Sequence, residues 1–439
     1  MRTKSPKISY IEAYFSSLMI GAGESFFAAY AISKGMGEVV AGLVVGLPMM
    51  MGAALQTATP FLFSRWPRPK RWVLLVCSLQ SLILFALMIT AMTNKAGPIT
   101  IFALIGCYWA CSYSGGAVWN YWMGFLVPNE ERPGFFAFRG QITQYGTIMG
   151  LLLAGVLLHN VESRNVGPAA YALPFLVAFL ARCLSVYLLG AHKAIEYQEQ
   201  LVQNAAIGEG RRNPFDVMRG LTFLKKTWGV FKDNAQARRD LTFMFLFNCA
   251  IYISSSFVTP FLLVKLKFDY LSFMATQMAL FFGKIFALLM ARKWIEKFGV
   301  RRILFIGALG MSPLPALWFF VSRTLESVLL QGISGFFWGL FEVAWGLVMF
   351  SELPNKDKIQ LLIWNNFFQT TAILIGTVIG GQLLSSYDET AAGYYLIFVL
   401  GAMLRTLFVL ANRPNKTGGT PKPAPEDEPG SLITVRTPR

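Results

Sequence analysis

Six charged side chains fall inside apolar runs long enough to cross a bilayer: Glu12, Glu24, Arg182, Lys284, Glu342 and Arg405. Inserting such a group costs at least about 2.5–3.5 kcal/mol, so each is expected to face a cavity or a partner. A carboxyl whose surroundings change between two states can bind a proton in one and release it in the other. An ammonium in the same setting pairs with a carboxylate or contacts an anionic solute. Glu24 lies two thirds of the way through the first run, Lys284 midway through the eighth and Glu342 just past the middle of the tenth. Lys284 and Glu342 belong to one half of the chain and are expected to neutralise each other, or to part when an anionic substrate binds. For Glu24 the alternatives are a proton site and an interhelical hydrogen bond or ion pair. Glu12, near one end of its run, is expected to reach water. Arg182 and Arg405, at matched places in the sixth and twelfth runs, are expected to snorkel to the headgroups as anchors.

The runs that hold these residues lie near 9–32, 38–63, 72–93, 98–126, 140–160 and 168–191, and again near 241–264, 271–291, 303–322, 327–351, 361–385 and 392–411. Each has about the 20 residues needed to span roughly 30 Å of hydrocarbon. With 55% hydrophobic and 14% charged residues, the 439-residue chain fits no soluble class. The net charge of +16 resides between the runs, where it sets topology and forms no basic face for nucleic acid. Arg65, Arg68, Lys70, Arg71, Arg132, Arg139, Arg292, Lys293, Lys297, Arg301, Arg302, Lys356 and Lys358 fall on the side of the N-terminus, against Lys34, Lys95, Arg164, Lys265, Lys267 and Arg323 on the other. Both termini are therefore expected in the cytoplasm.

The organisation expected is a first six-helix bundle over 1–191, a cytoplasmic linker over 192–240, a second bundle over 241–411 and a disordered tail over 412–439. Within the linker, Leu221–Arg239 mixes Phe223, Trp228 and Phe231 with Lys225, Lys226 and Lys232, the pattern of a helix lying on anionic lipid, or alternatively of a solvated connection. The five cysteines lie in apolar runs without metal-ligand spacing, His159 and His192 are the only histidines, and no phosphate-cradling Gly-Lys-Ser/Thr loop is present. No enzyme, metal or cofactor is expected, nor an ATP-driven pump.

The two halves repeat each other. Trp119 to Pro128-Asn129 aligns with Trp345 to Pro354-Asn355 without a gap, placing Gly150 and Gly155 on Gly376 and Gly381. Ser25-Phe26 and Lys34 align with Ser256-Phe257 and Lys265, Lys70-Arg71 with Arg301-Arg302, and Arg182 with Arg405. The connection Glu296-Lys297-Phe298-Gly299-Val300-Arg301-Arg302 resembles the acidic-basic-x-Gly-x-basic-basic loop of the major facilitator superfamily, and the segment Pro128–Arg139 is similar to one in many of its bacterial members. Arg292 stands where that family has Gly, and Ser64–Arg71 lacks the acid and the Gly.

The resemblance covers 1–412 and implies an all-α membrane protein of about twelve transmembrane helices in two pseudo-symmetric six-helix bundles, the major facilitator fold. It places helices one, four, seven and ten around a central cavity, making Glu24 and Glu342 the candidates for proton coupling. Trp109, Tyr113, Asn120, Asn248, Tyr252, Lys284, Trp338 and Gln369 become candidates for the substrate cavity, with ring faces suited to sugars, drugs or other planar amphiphiles. Trp119, Trp122 and Trp345, nearer the helix ends, read as interface residues. Glu296, Arg301, Arg302, Arg132 and Arg139 become a cytoplasmic gate, as such loops latch the bundle ends in the family. Gly146, Gly150 and Gly155 would let two helices approach and rock. Helix four lacks the Arg, and helix five the Gly-Pro signature, of proton-driven drug exporters. The function expected is proton-coupled transport of a small solute across the cell inner membrane by a monomer among lipids. The rival readings are a flippase-like lipid-handling protein and a non-transporting sensor.

Overall fold

The computed structural model describes residues 5–56, 59, 62–63, 68–127, 132–162, 167–191, 232, 234–351 and 358–413. Most of the linker, the amphipathic segment up to Asn234 and the tail beyond Arg413 lie outside the described residues, as do the side chains of Asn120 and Arg132.

Among the described residues, twelve helices are long and apolar enough to cross a membrane, and they coincide with the twelve runs expected. They are α1 (Lys7–Ser33), α2 (Glu38–Gln56), α3 (Pro69–Thr93), α4 (Pro98–Leu126), α5 (Arg132–Glu162), α6 (Gly167–Ala191), α7 (Ala235–Lys265), α8 (Tyr270–Phe298), α9 (Val300–Phe320), α10 (Thr324–Ser351), α11 (Lys358–Ser385) and α12 (Ala391–Ala411). The first six pack into one bundle and the last six into another, with α1 against α5 and α6 matched by α7 against α11 and α12. Twelve crossings return the chain to its starting side, here called the terminal face; the opposite end is the far face.

Glycines at the repeated positions set the spacing inside and between the bundles. A Cβ on Gly150 would overlap backbone of α1 at Leu18 and Ala22, and one on its repeat mate Gly376 would overlap Cys249 of α7. Gly155 meets Met274 of α8 across the bundle boundary, and its mate Gly381 meets Val39 of α2 across the same boundary. Gly150 and Gly376 thus pack their own bundles tightly, while Gly155 and Gly381 let the two bundles touch.

Both α1 and α7 are broken at the repeat pair Ser25-Phe26 and Ser256-Phe257. In α1 the chain passes through a 3-10 turn at Glu24–Phe26, after which Phe26 (φ −106°, ψ 3°) opens the next helical segment. In α7 Phe257 has φ −105° and ψ 3°, and a π turn over Phe261–Lys265 follows. Small and hydroxylated residues, Gly21, Gly23 and Ser25 in one helix and Ser254, Ser255 and Ser256 in the other, make each break inexpensive. The two rings freed by the breaks span the bundle boundary. Phe26 lies 5.8 Å from Phe273 of α8, and Phe257 packs on Gly42 of α2, where a Cβ would overlap its ring.

Candidate functional site

The break in α1 presents Glu24 to α4, where the Tyr108 hydroxyl donates to its carboxylate at 2.8 Å. Tyr108 is fully buried, held edge-on by Phe27 and by its neighbour Trp109. Among the described residues Glu24 has no basic partner at ion-pair distance, and Tyr108 is its interhelical hydrogen-bond partner. Trp109 and Tyr113 follow on α4 with ring centroids 5.4 Å apart, both half-buried. Gly52 of α2 admits this stretch of α4, since a Cβ there would overlap Trp109 and Ala110.

In the second bundle, α8 and α10 approach through Gly283, Gly335 and Gly339, each of which meets backbone of the other helix. That approach brings Lys284 Nζ to 3.0 Å from Glu342 Oε2, the pairing anticipated for these two residues. The lysine is 15% exposed and the carboxylate 61%. Because a carboxylate facing hydrocarbon at this depth would be expensive, the open side of Glu342 is expected to face water. Lys284 Nζ also lies 5.7 Å from the ring centre of Trp338, within cation–π range. Asn248 is buried and spends a donor on Met244 O of its own helix at 2.8 Å, while Tyr252 and Gln369 are half-buried on α7 and α11.

Three residues read as reaching water or headgroups are instead interior. Glu12 is 3% exposed, paired with Arg139 at 2.8 Å and accepting from the Ser185 hydroxyl at 3.0 Å. Arg182, 7% exposed, donates to Ser16, Ser185 and Cys77. Arg405 is 5% exposed and donates to Ala250 O, Ile251 O and the hydroxyls of Ser254 and Ser255, just before the break in α7. Snorkelling fails here for a physical reason: acceptors on α1, α3 and α6 for Arg182, and on α7 for Arg405, engage most of each planar guanidinium internally, so it gains little by extending to the headgroups. Trp122 and Trp345, read as interface residues, are likewise buried, at 6% and 7% exposure.

At the terminal face the charges pair within their own bundles. Arg139 stacks 4.0 Å over Trp119 while holding Glu12, Arg301 grips Asp240 of α7 with two bonds of 3.0–3.1 Å, and Arg292 holds Glu296 at 3.0 Å. Arg302 is exposed.

At the far face the bundles are clasped together. Glu38, which opens α2 and is 8% exposed, pairs with Lys265 of α7 at 2.8 Å and accepts from the Tyr394 hydroxyl of α12. Glu389, between α11 and α12, accepts in turn from the N–H groups of Glu38 and Val39 at 3.3 and 3.5 Å, capping α2 from the opposite bundle. Tyr171 of α6, eleven residues before Arg182 as Tyr394 is before Arg405, bonds Tyr270 of α8 at 3.0 Å. Nothing in the charge pattern alone marks Glu38, Tyr394 or Glu389. The repeat does carry a signal, since Lys34 and Lys265 are mates and both stand at helix ends facing the far side.

The family model of the Major Facilitator Superfamily matches residues 241–438. The fold resembles that of the nucleoside transporter NupG, with TM-score 0.62 and 14% identity over 93% of this chain and 98% of that one. It also resembles a D-xylose-proton symporter, with TM-score 0.66 and 13% identity over 95% and 98% of the two chains. A third resemblance is to the inward-open xylose transporter XylE from E. coli, with TM-score 0.64 and 12% identity over 94% and 97%. No curated protein matches the chain. The family model thus matches the second half of the chain, and the arrangement of both bundles is the fold these transporters share.

Proposed function

We propose that the chain is a secondary active transporter that carries a small solute across the cytoplasmic membrane by alternating access, coupled to protons through Glu342 or Glu24. The observation that carries this reading is the Lys284–Glu342 pair: an exposed carboxylate at mid-membrane depth, on a helix of the second bundle, beside an aromatic wall formed by Trp338. A proton on Glu342 releases Lys284, and an anionic or hydroxyl-bearing group of the substrate can then take up the ammonium. Deprotonation restores the pair and expels the substrate. Glu24, held by Tyr108 and linked through Trp109 to Tyr113, supplies the opposing wall.

With the terminal face read as cytoplasmic from its excess of Lys and Arg, the clasp of Glu38, Lys265, Tyr394 and Glu389 closes the outer side and the gap beside Glu342 opens inward. Glu296, Arg301, Arg302, Arg132 and Arg139 then serve as the inner gate, re-pairing across the bundles when the transporter turns outward. The paired rings suit a ring-bearing solute such as the nucleoside or the D-xylose for which two structural neighbours are named, an analogy at the level of the fold only.

The test is uptake into proteoliposomes across an imposed pH gradient, screened over sugars, nucleosides, amino acids, organic anions and drugs. Glu342→Gln is expected to abolish pH-dependent uptake while the protein still folds into the membrane. Unchanged pH dependence in both Glu342→Gln and Glu24→Gln would overturn the proton coupling.

A further inference from the structure

On the outside of the first bundle, away from the central gap, a groove of about 550 Å³ runs between α2, α3 and α4. Its floor is buried: Thr59, Trp72, Val76 and Ser114 are each less than a tenth exposed. Its rim is apolar and open, with Leu55, Leu62, Leu75 and Leu79 between 43% and 53% exposed. The polar atoms of the floor are used among themselves, because Ser114 Oγ accepts from Thr59 at 2.9 Å and from the Trp72 indole at 3.1 Å. The groove therefore offers an apolar occupant a close fit and a polar one no anchor.

The rim continues along α3 as an exposed apolar stripe through Leu82, Phe85, Ile89 and Met92. In the other direction the same helix face ends in cations. Arg71 precedes Leu75 by one turn and Arg68 precedes Trp72 by one turn, so both stand where α3 leaves the bilayer at the terminal face. Arg71 is exposed and Arg68 half-buried.

We infer that this groove is a binding site for one anionic phospholipid, with an acyl chain lying against Trp72, Val76 and Ser114 and the phosphate and headgroup held by Arg68 and Arg71. The occupant follows from the order of features along one helix face: two cations at headgroup level, then an apolar trough at acyl-chain depth. The site is separate from the solute path and stands whether or not the proposed transport cycle is right.

The experiment titrates the purified full-length protein in detergent with phosphatidylglycerol or with phosphatidylcholine of the same acyl composition, and reads bound lipid by native mass spectrometry. Each basic residue near an anionic surface changes binding by about fivefold. The protein is therefore expected to hold one phosphatidylglycerol about thirtyfold more tightly than phosphatidylcholine. The double variant Arg68→Gln/Arg71→Gln is expected to bind the two lipids alike. Leu79→Trp, which fills the groove, lowers binding of both, while Leu82→Trp, on the same stripe beyond the groove, lowers neither. These exposed positions tolerate substitution, and unchanged elution as a single species verifies folding. Equal binding of the two lipids by the parent protein, or phosphatidylglycerol binding unmoved by Leu79→Trp, overturns the assignment.

Discussion

Breaking the far-face clasp should shift the balance between the two open states. Glu38 and Lys265 meet at 2.8 Å with side chains 10% and 25% exposed. At an effective dielectric constant near 20 their attraction is about 6 kcal/mol before desolvation is subtracted. Removing one member of a buried pair costs about 3–5 kcal/mol, and partial access of water to Lys265 brings the value toward 2 kcal/mol. In the far-open arrangement the two groups separate into water, so nearly all of that loss falls on the far-closed state. Glu38→Gln and Lys265→Met are each expected to move the population about thirtyfold toward far-open molecules. The shift is readable as a distance distribution between spin labels at Lys95→Cys and Arg323→Cys, exposed positions on opposite bundles at the far face, in a chain whose native cysteines are replaced. Lengthening in both variants is the expected result. A distribution that neither substitution moves would show that the clasp is incidental to closure and that packing alone joins the bundles.

Gly42→Val should act in the same direction by a steric route, since its side chain would overlap the Phe257 ring that closes on α2; the same labels should report a longer far-face distance. Arg139→Met should lower stability by about 3 kcal/mol, because Glu12 is left 96% buried without its cation; the loss should be visible in thermal melting and largely recovered in Arg139→Met/Glu12→Gln. Asp269, which caps α8, has its carboxyl held below the usual carboxylate range by its bonds to Ser272, chiefly the side-chain bond. A depressed native value means that this cap stabilises above the ordinary range and is lost as pH falls through the lowered one; melting of Asp269→Asn should therefore show a smaller loss of stability toward acid than the parent.

The scaffold was legible because a membrane helix declares itself through length and hydropathy, and a duplicated one declares itself again at a fixed offset. The repeat located Ser25-Phe26 and Ser256-Phe257, yet pattern alone did not reveal that both mark breaks, because each run remains continuously apolar through them. Lys284 and Glu342 were legible as a pair because lone charges in lipid need partners and only these two lay near the centre of the second half. Arg182 and Arg405 were misread because their partners are mostly hydroxyls and carbonyls, which every helix carries and no composition singles out. Glu38 escaped notice for a related reason: a carboxylate at a helix start is the ordinary choice for the macrodipole, and its cross-bundle partners lie more than two hundred residues away.

The repeat also explains where the molecule departs from its own symmetry. Phe26 meets a ring, Phe273, while its mate Phe257 meets Gly42, so one boundary contact is ring on ring and the other ring on backbone. Tyr394 reaches a carboxylate at Glu38, whereas its counterpart Tyr171 reaches the neutral Tyr270. Lys265 crosses to the other bundle, whereas its mate Lys34 bonds Asn94 within its own. Among the described residues the direct ion pair across the far face, Glu38–Lys265, thus lies on the α2–α7–α12 side of the boundary, while the α1–α5–α6–α8 side closes through aromatic packing, a hydroxyl bond and the electrostatic attraction of His159 for Asp269. A charge pair loses strength in water far more steeply than a ring contact does, so wetting of the far face should release the α2 side first. The bundles would then part by pivoting about the α5–α8 contact at Gly155 and Met274, where a glycine against a flexible thioether permits rotation without leaving a void.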